Sequence, residues 1–261
     1  MSISDDLQLN EIYHMDCNEG LKLIHNDSID LIITDPPFAI NFKSKRANYH
    51  RIQSRVIDGY NEISEDDYYS FTFNWMAECF RVLKDSGSLY LFSGWNNLRD
   101  ILNASSKLGF ITVNHLIWKY QFGLVTSRKY VTSHYHCLYL CKNEGKRFFS
   151  PYSRFSKDQK NDQGRSLHYQ DKEDVWVINR EYWSGDKKTP TKLPFELIEK
   201  ILMYSSNPGD IILDPFLGSG QVAFVSKRLG RQYIGFEIVE DYYQFSKTRI
   251  DNDVYRIKDD D

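Results

Sequence analysis

The stretch DIILDPFLGSGQVAFVSKRLGRQYIGFE, residues 210 to 237, decides the fold. DIILD (210 to 214) is mostly apolar and rich in β-branched side chains, and reads as a buried strand. The glycines of PFLGSG break that pattern, a helix spans about Gln221 to Leu229 before Gly230 ends it, and YIGFE (233 to 237) reads as a second strand. Strand, helix and strand in succession form a β-α-β unit, which implies a parallel sheet with right-handed crossovers.

Similar signals lie on either side. SIDLIIT (28 to 34) reads as a central strand that stops at Asp35-Pro36-Pro37, because each proline lacks the backbone donor a sheet needs. From Asp67 to Lys84 the residues Phe71, Trp75, Cys79, Phe80 and Leu83 recur at helical spacing; Ser64 with Asp67 supplies a capping box, and Gly87 is expected to close the helix. SLYLFS (88 to 93) reads as a strand, and Leu98, Ile101, Leu102, Ser105 and Leu108 mark a helix stopped by Gly109. A strand over 110 to 118 follows, and Pro194 opens a helix whose apolar face is Leu197, Ile198, Ile201 and Leu202. Between about Tyr120 and Asp174 periodicity is weak and only HYHCLYL resembles a strand, so most of this stretch is expected to be an irregular insertion.

A chain of 261 residues with 41% hydrophobic and 26% charged residues has enough apolar surface for a core, as one large domain or one domain carrying an insertion. No run of about 18 apolar residues occurs, and the opening MSISDDLQLN is acidic where a secretory signal is basic and then apolar, so a cytoplasmic protein without a membrane anchor is expected. The four cysteines Cys17, Cys79, Cys137 and Cys141 are too few and too unevenly spaced for a disulfide framework, and reduced thiols are expected. With a net charge of −3, attraction to a polyanion has to come from local patches.

Two loops carry chemistry. Asp214-Pro215-Phe216-Leu217-Gly218-Ser219-Gly220 joins a strand to a helix, where glycines let the backbone approach a ligand. Glu237 ends the next strand, at about the spacing where a carboxylate accepts from ribose hydroxyls. The dinucleotide fingerprint is missing, since Phe216 stands in place of the first glycine and no third glycine follows, which disfavours a pyrophosphate and a nicotinamide oxidoreductase. A nucleoside with a small zwitterionic tail fits better; the alternative is an ordinary strand-to-helix turn. The second loop is Thr34-Asp35-Pro36-Pro37-Phe38. The exocyclic amine of adenine or cytosine is a poor nucleophile because its lone pair is delocalised into the ring. If Asp35 and the Pro36 carbonyl each accept one N–H, the lone pair is freed; proline stiffness preorganises the acceptors, and Phe38 offers a ring to stack on an extruded base.

Together these loops resemble the amino-methylating DNA methyltransferases, in which an Asp-Pro-Pro-Tyr/Phe loop grips the target amine and a Phe-x-Gly-x-Gly loop binds S-adenosylmethionine. Catalytic loop first and cofactor loop last is similar to the permuted beta group. The resemblance extends to His14-Met15-Asp16-Cys17, to Arg81 through Tyr90, to Asp174-Val175-Trp176, and to Thr189 through Pro194, where Thr189, Lys192 and Leu193 depart from the family pattern.

The resemblance implies an α/β fold, a circularly permuted Rossmann-like class I methyltransferase sheet, mostly parallel with one antiparallel strand and helices on both faces. Residues 1–119 and 173–261 would form the catalytic domain and 120–172 an inserted target-recognition region. Asp35, Pro36, Pro37 and Phe38 would be catalytic, with Asp16, Cys17, Thr191, Lys192, Asp214, Phe216, Gly218, Ser219, Gly220 and Glu237 at the cofactor and no metal. The implied activity is S-adenosylmethionine-dependent, site-specific methylation of adenine N6 on a flipped base in double-stranded DNA, in a restriction-modification or epigenetic system. Cytosine-N4 methylation and a catalytically silent DNA-binding partner are the alternatives, and a homodimer and a cognate restriction endonuclease are compatible partners.

For DNA contacts, residues 43 to 55 hold Lys43, Lys45, Arg46, Arg51 and Arg55 with no acid, directly after the catalytic loop, and read as a phosphate clamp. Arg128 and Lys129, with the basic and aromatic stretch 142 to 172, are candidates for target recognition. His134, His136, Cys137 and Cys141 alternate along a strand, a spacing unlike that of tetrahedral zinc sites.

Overall fold

The structure is a computed structural model and describes residues 3–37, 63–121, 127–150, 162–163, 172–181 and 192–253. Its strands are β1 (Glu11–His14), β2 (Ile29–Thr34), β3 (Leu83–Ser93), β4 (Ile111–Lys119), β5 (His134–Cys141), β6 (Val175–Val177), β7 (Ile211–Asp214) and β8 (Gln232–Glu237). Among the described residues these eight form one sheet in the order β1-β8-β7-β2-β3-β5-β4-β6. β5 is antiparallel to both of its neighbours and every other pairing is parallel, in line with the expected single antiparallel strand.

Alternation along the strands sends side chains into two cores. Ile32, Leu89, Leu91, Leu138 and Leu140 face one core and Leu31, Ile33, Tyr90, Phe92, Cys137 and Tyr139 the other, the period-two pattern of a sheet covered on both sides. The first core takes α1 (Cys17–Lys22), α2 (Tyr68–Val82) and α3 (Leu98–Leu108), the last ended by Gly109 at φ +88°. The second takes α4 (Phe195–Ser205) and α5 (Gln221–Arg228), with Ile250 of α6 (Glu240–Asp251). On α4 the expected face, Leu197, Ile198, Ile201 and Leu202, is buried. The four cysteines are free and buried, and among the described residues no helix is long and apolar enough to cross a membrane.

Three expectations change. Gly87 does not close α2: the helix ends at Val82, Leu83 is already extended, and β3 runs through Gly87. Between Leu83, which pairs with Ile29, and Ser88, which pairs with Leu31, the register shifts, and Gly87 lets β3 pass close to the β2 backbone. HYHCLYL, placed inside the 120–172 insertion, is β5, an interior strand between β3 and β4, because its buried Cys137 to Cys141 run supplies both cores. Outside this strand, the expected insertion is reduced to 120–133 and 142–172. The helix from Pro194 begins one residue later, with Pro194 as its N-terminal cap.

From β7 the chain moves to β8 on one side, whereas from β2 it moves to β3 on the other. The connections diverge between β7 and β2, and such a switch point opens a crevice at the carboxyl ends of the strands, where open α/β sheets bind ligands.

A Cβ added at Gly87 would lie 2.8 Å from the Asp30 carbonyl oxygen and 2.7 Å from Leu83 Cδ1. Gly87→Ala is expected to destabilise the fold by about 1–3 kcal/mol, the usual cost of overpacking, read as a lower urea midpoint at unchanged slope.

Candidate active site

The two loops singled out by sequence meet at the switch point. Thr34, the last residue of β2, donates its hydroxyl to Asp214 Oδ1, at the end of β7, over 3.0 Å, and both residues are buried. The same oxygen accepts from the Phe216 N–H at 3.1 Å, which folds the glycine loop back over the strand end. Asp35 is the next residue of the chain. Pro36 beside it is buried, and Asp35 itself is half-buried with Oδ1 closed off from solvent and without a hydrogen-bond partner among the described residues.

Burial, and after it the charge of Asp214, pushes the Asp35 carboxyl up to about 8. Burial also lifts Asp214, to about 7, against the lowering effect of its bonds from Phe216 and Thr34. Glu237, at the end of β8, is raised by burial while the backbone bonds it accepts oppose the shift. Its Oε2 accepts from the Gly218 N–H at 2.8 Å and its Oε1 from the Val239 N–H at 2.9 Å, which fixes the carboxylate at the foot of the loop.

The loop is built for close approach. Leu217 donates its N–H to the Phe236 carbonyl at 2.9 Å, and its side chain covers Gly235, where a Cβ would come within 2.5 Å. Gly218 and Gly220 hold φ of +53° and +72°, and a Cβ on Gly220 would meet Ser246 Cβ at 2.9 Å. Phe216 is turned to the first core, with its ring edge-on to Trp75 at 5.2 Å and near Phe71 at 5.9 Å.

Residues outside the sequence-derived set hold this loop. From α6, Ser246 Oγ donates to the Gly218 carbonyl at 2.7 Å and buried Arg249 donates to the Ser219 carbonyl at 3.0 Å. Arg249 also donates to Gln221 Oε1, and Gln221 Nε2 lies 3.4 Å from Glu181 Oε2. That carboxylate takes Lys192 Nζ at 2.6 Å, with the lysine side chain 3% exposed. Lys192 thus joins a buried polar chain behind the loop, and burial lowers its pKa against the opposing pull of Glu181. Glu181, Ser246 and Arg249 carry no motif; the signal available was the i, i+4, i+7, i+8 spacing of Tyr242, Ser246, Arg249 and Ile250, which is only half apolar.

Asp16 caps α1 just beyond β1, accepting from the Asn18 N–H at 2.8 Å, and His14 pairs in register with Glu237, so Asp16 and Glu237 stand at neighbouring strand ends. The Cys17 thiol is buried in the first core and pushed far up by burial, so only its backbone is left to face the crevice. Arg128 and Lys129 are exposed in the segment from β4 to β5, which starts and ends on the carboxyl edge of the sheet. Phe38, Lys43, Lys45, Arg46, Arg51, Arg55 and Thr191 lie outside the described residues. Among the described residues no group of histidine, cysteine or acidic side chains could hold a metal.

The order of the strand-end loops, the Thr34–Asp214 tie and the glycine loop can be compared with known proteins. The family model described as DNA methylase, that of the N6 and N4 methyltransferases, matches residues 29–248, from β2 into α6. The chain belongs to the DNA methylase family. Among curated relatives of this DNA methylase, the type II methyltransferase M.HpaI of Haemophilus parainfluenzae is 32% identical over 244 residues, covering 91% of this chain and 74% of its own. The DNA adenine methyltransferase YhdJ of Escherichia coli (strain K12) is 31% identical over 255 residues, covering 92% and 82%. Of solved structures, the M1.HpyAVI–SAM complex superposes with a TM-score of 0.62 at 26% identity, covering 92% of this chain and 98% of its own. The cytosine-N4-specific PvuII DNA methyltransferase superposes at 0.66 with 19% identity, covering 94% and 88%, a likeness of fold.

Asp35 gives this DNA methylase a pH signature. A carboxyl whose pKa is raised on folding contributes stability that is present below the unfolded value of about 3.9 and lost as pH rises through the folded value; for Asp35 the loss runs to about pH 8. Asp35→Asn is therefore expected to change the thermal midpoint little more than a neutral replacement at pH 4 and to raise it relative to wild type as pH climbs to 9. A difference independent of pH would contradict the assignment.

Proposed function

We propose that this DNA methylase transfers a methyl group from S-adenosylmethionine to N6 of an adenine extruded from double-stranded DNA. The observation that carries the reading is Asp35 Oδ1 at the switch point, closed off from solvent and without a hydrogen-bond partner among the described residues, next in chain to the residue tied to the glycine loop. The crevice suits the cofactor on its own chemistry. Glu237 and Asp16 at adjacent strand ends match ribose hydroxyls and the adenine amine, and positive-φ Gly218 leaves open backbone between them and Asp35.

When bound, S-adenosylmethionine supplies an electrophilic methyl carbon on a positively charged sulfur. Asp35 and the Pro36 carbonyl accept the two N–H groups of the amine, which draws the nitrogen toward a tetrahedral shape with its lone pair aimed across the crevice. Pro36 and Pro37 hold these acceptors in place before the base arrives, and Phe38 stacks on it. With the cofactor bound, the nitrogen would take the methyl carbon as the carbon–sulfur electron pair returned to sulfur, and the cationic amine would then shed a proton. A carboxyl raised to about 8 is matched to receive it near neutral pH.

Adenine is favoured by the 31% identity to a named adenine methyltransferase and by aspartate at position 35, where cytosine-N4 enzymes of the resembled family more often carry serine. The likeness to proteins named type II methyltransferases supports a restriction-modification setting in the cytoplasm, with a companion endonuclease; the homodimer is checked by sedimentation. Lys43, Lys45, Arg46, Arg51 and Arg55 are assigned to phosphates, and Arg128 and Lys129 to target recognition.

Incubation with tritiated cofactor and DNA, followed by nucleoside analysis, is expected to give N6-methyladenine; label found only in N4-methylcytosine overturns the adenine assignment. Asp35→Ala is expected to abolish turnover with cofactor affinity nearly unchanged. Because the carboxylate is the working form, kcat/KM should rise about tenfold per pH unit up to about 8 and then level. Replacing Lys45, Arg46 and Arg51 with alanine should weaken DNA binding on all sequences alike and reduce the salt slope by about 0.9 for each phosphate no longer neutralised; an unchanged slope refutes the clamp.

A further inference from the structure

Trp95 leaves 74% of its surface in solvent, although an indole is among the side chains that gain most from burial. It stands on the 3-10 turn Trp95–Asn97, two residues beyond the end of β3, and the turn is rooted by buried Asn97 and Leu98. Its place relative to the chemistry follows from topology: Thr34 of β2 pairs with Leu91 of β3, so Trp95, four residues past Leu91, emerges at the carboxyl edge on the strand beside the one that leads into Asp35.

Behind the indole is a rigid aromatic backing. The His136 ring lies 5.8 Å from that of Trp95, and His136 pairs across the sheet with Ser93. His136 is stacked on His115 at 5.0 Å, with the ring nitrogens 2.8 Å apart, and meets His134 edge-on at 5.1 Å. Burial and the two neighbouring imidazoles push His136 down to about 4, so the ring behind Trp95 is uncharged at neutral pH. Tyr130, 98% exposed beside Arg128 and Lys129, lies in the segment that enters β5 on the same edge. An aromatic ring supported from behind, open in front and set at the carboxyl edge on the strand next to the one that carries Asp35 has the properties of the wedges that nucleic-acid-binding proteins press into a base stack.

We propose that Trp95 inserts against the base stack of the bound duplex and fills the space left by the extruded adenine, with His136 and His115 as its backing. This role rests on the base-extruding reaction proposed above and explains how the extruded state is held open while the amine is gripped on the neighbouring strand end.

The test uses a duplex carrying the site identified by modification-sensitive sequencing, and a second duplex in which the target adenine faces an abasic position. Single-turnover methylation is measured for wild type, Trp95→Ala and Trp95→Phe. The alanine variant is expected to lose about tenfold or more on the paired duplex, the phenylalanine variant to keep most of the rate, and the abasic duplex to bring the alanine variant within about threefold of wild type. Cofactor affinity and thermal midpoint should not move. With 2-aminopurine at the target position, the fluorescence gain on binding should be smaller for Trp95→Ala than for wild type. An undiminished rate on the paired duplex, an equal loss on both duplexes, or a brighter 2-aminopurine signal in Trp95→Ala overturns the wedge. A wild-type protein that methylates neither duplex overturns the underlying reaction instead.

Discussion

Thr34 and Asp214 are 180 residues apart in the chain, yet a hydroxyl of one is 3.0 Å from a carboxylate oxygen of the other. The rest of the site depends on that contact. It ties the ends of β2 and β7 where the crossovers part to opposite sides, so two loops written at distant places in the sequence share one crevice. Asp35 follows Thr34 directly and Phe216 bonds to the same Asp214 oxygen, so the tie positions the amine-gripping loop and the glycine loop together. A displacement at either end would be felt at both, which is why the pair is buried and why prolines follow one strand end and a proline follows the other.

Bringing carboxylates together at strand ends opposes stability, and the structure distributes the cost unevenly. Asp214 is compensated by the Thr34 hydroxyl and the Phe216 N–H, and Glu237 by two backbone N–H groups. Asp35 Oδ1 has no such compensation among the described residues and is raised to about 8. Carboxyls in distinct environments do distinct work. The compensated ones are fixed acceptors that shape the crevice, whereas the uncompensated one is stabilised as an anion only when a donor reaches it. A target amine is such a donor, and a cation across the crevice favours the same ionisation.

Much of this was legible in the sequence because the decisive elements carry strong local signals. The Ile211–Asp214 strand, the glycine loop and Gln221–Arg228 are a short β-branched apolar run, a turn and a helical stretch stopped by Gly230, in direct succession. Gly109 at φ +88° marked a helix end correctly, whereas Ser64 accepts from the Asp67 N–H at 3.1 Å in the turn before the helix, whose N-terminal cap is Asp67 without a side-chain capping bond. What escaped has physical reasons. β1 and β6 have four and three residues, too short for a pattern to repeat. Gly87 has the same letter whether it ends a helix or lets two strands pass closely, and only the Asp30 carbonyl beside it decides. HYHCLYL was legible as a strand, but its interior place was not, because local sequence does not show that β3 and β4 take it between them. The direction of the Cys17 thiol, into the core, was also not legible, because adjacent residues of one motif point to different sides.

α6 shows most clearly what hydrophobic periodicity leaves out. A loop with two positive-φ glycines loses much conformational freedom on folding and cannot pack itself, since glycines offer no side chains. Its rigidity has to come from outside. Ser246 and Arg249 bond to the Gly218 and Ser219 carbonyls, and the buried Arg249–Gln221–Glu181–Lys192 chain braces the first turn of α5 from behind. Burying two cations is costly unless each is bonded to partners fixed in place, and here Arg249 has the Ser219 carbonyl and Gln221 Oε1 while Lys192 has the Glu181 carboxylate. The sequence pays for this with polar residues on a buried helix face, where a periodicity search sees a surface. Preorganisation for catalysis and weak sequence legibility thus share one cause: groups that hold a site in shape have to be polar and buried at the same time.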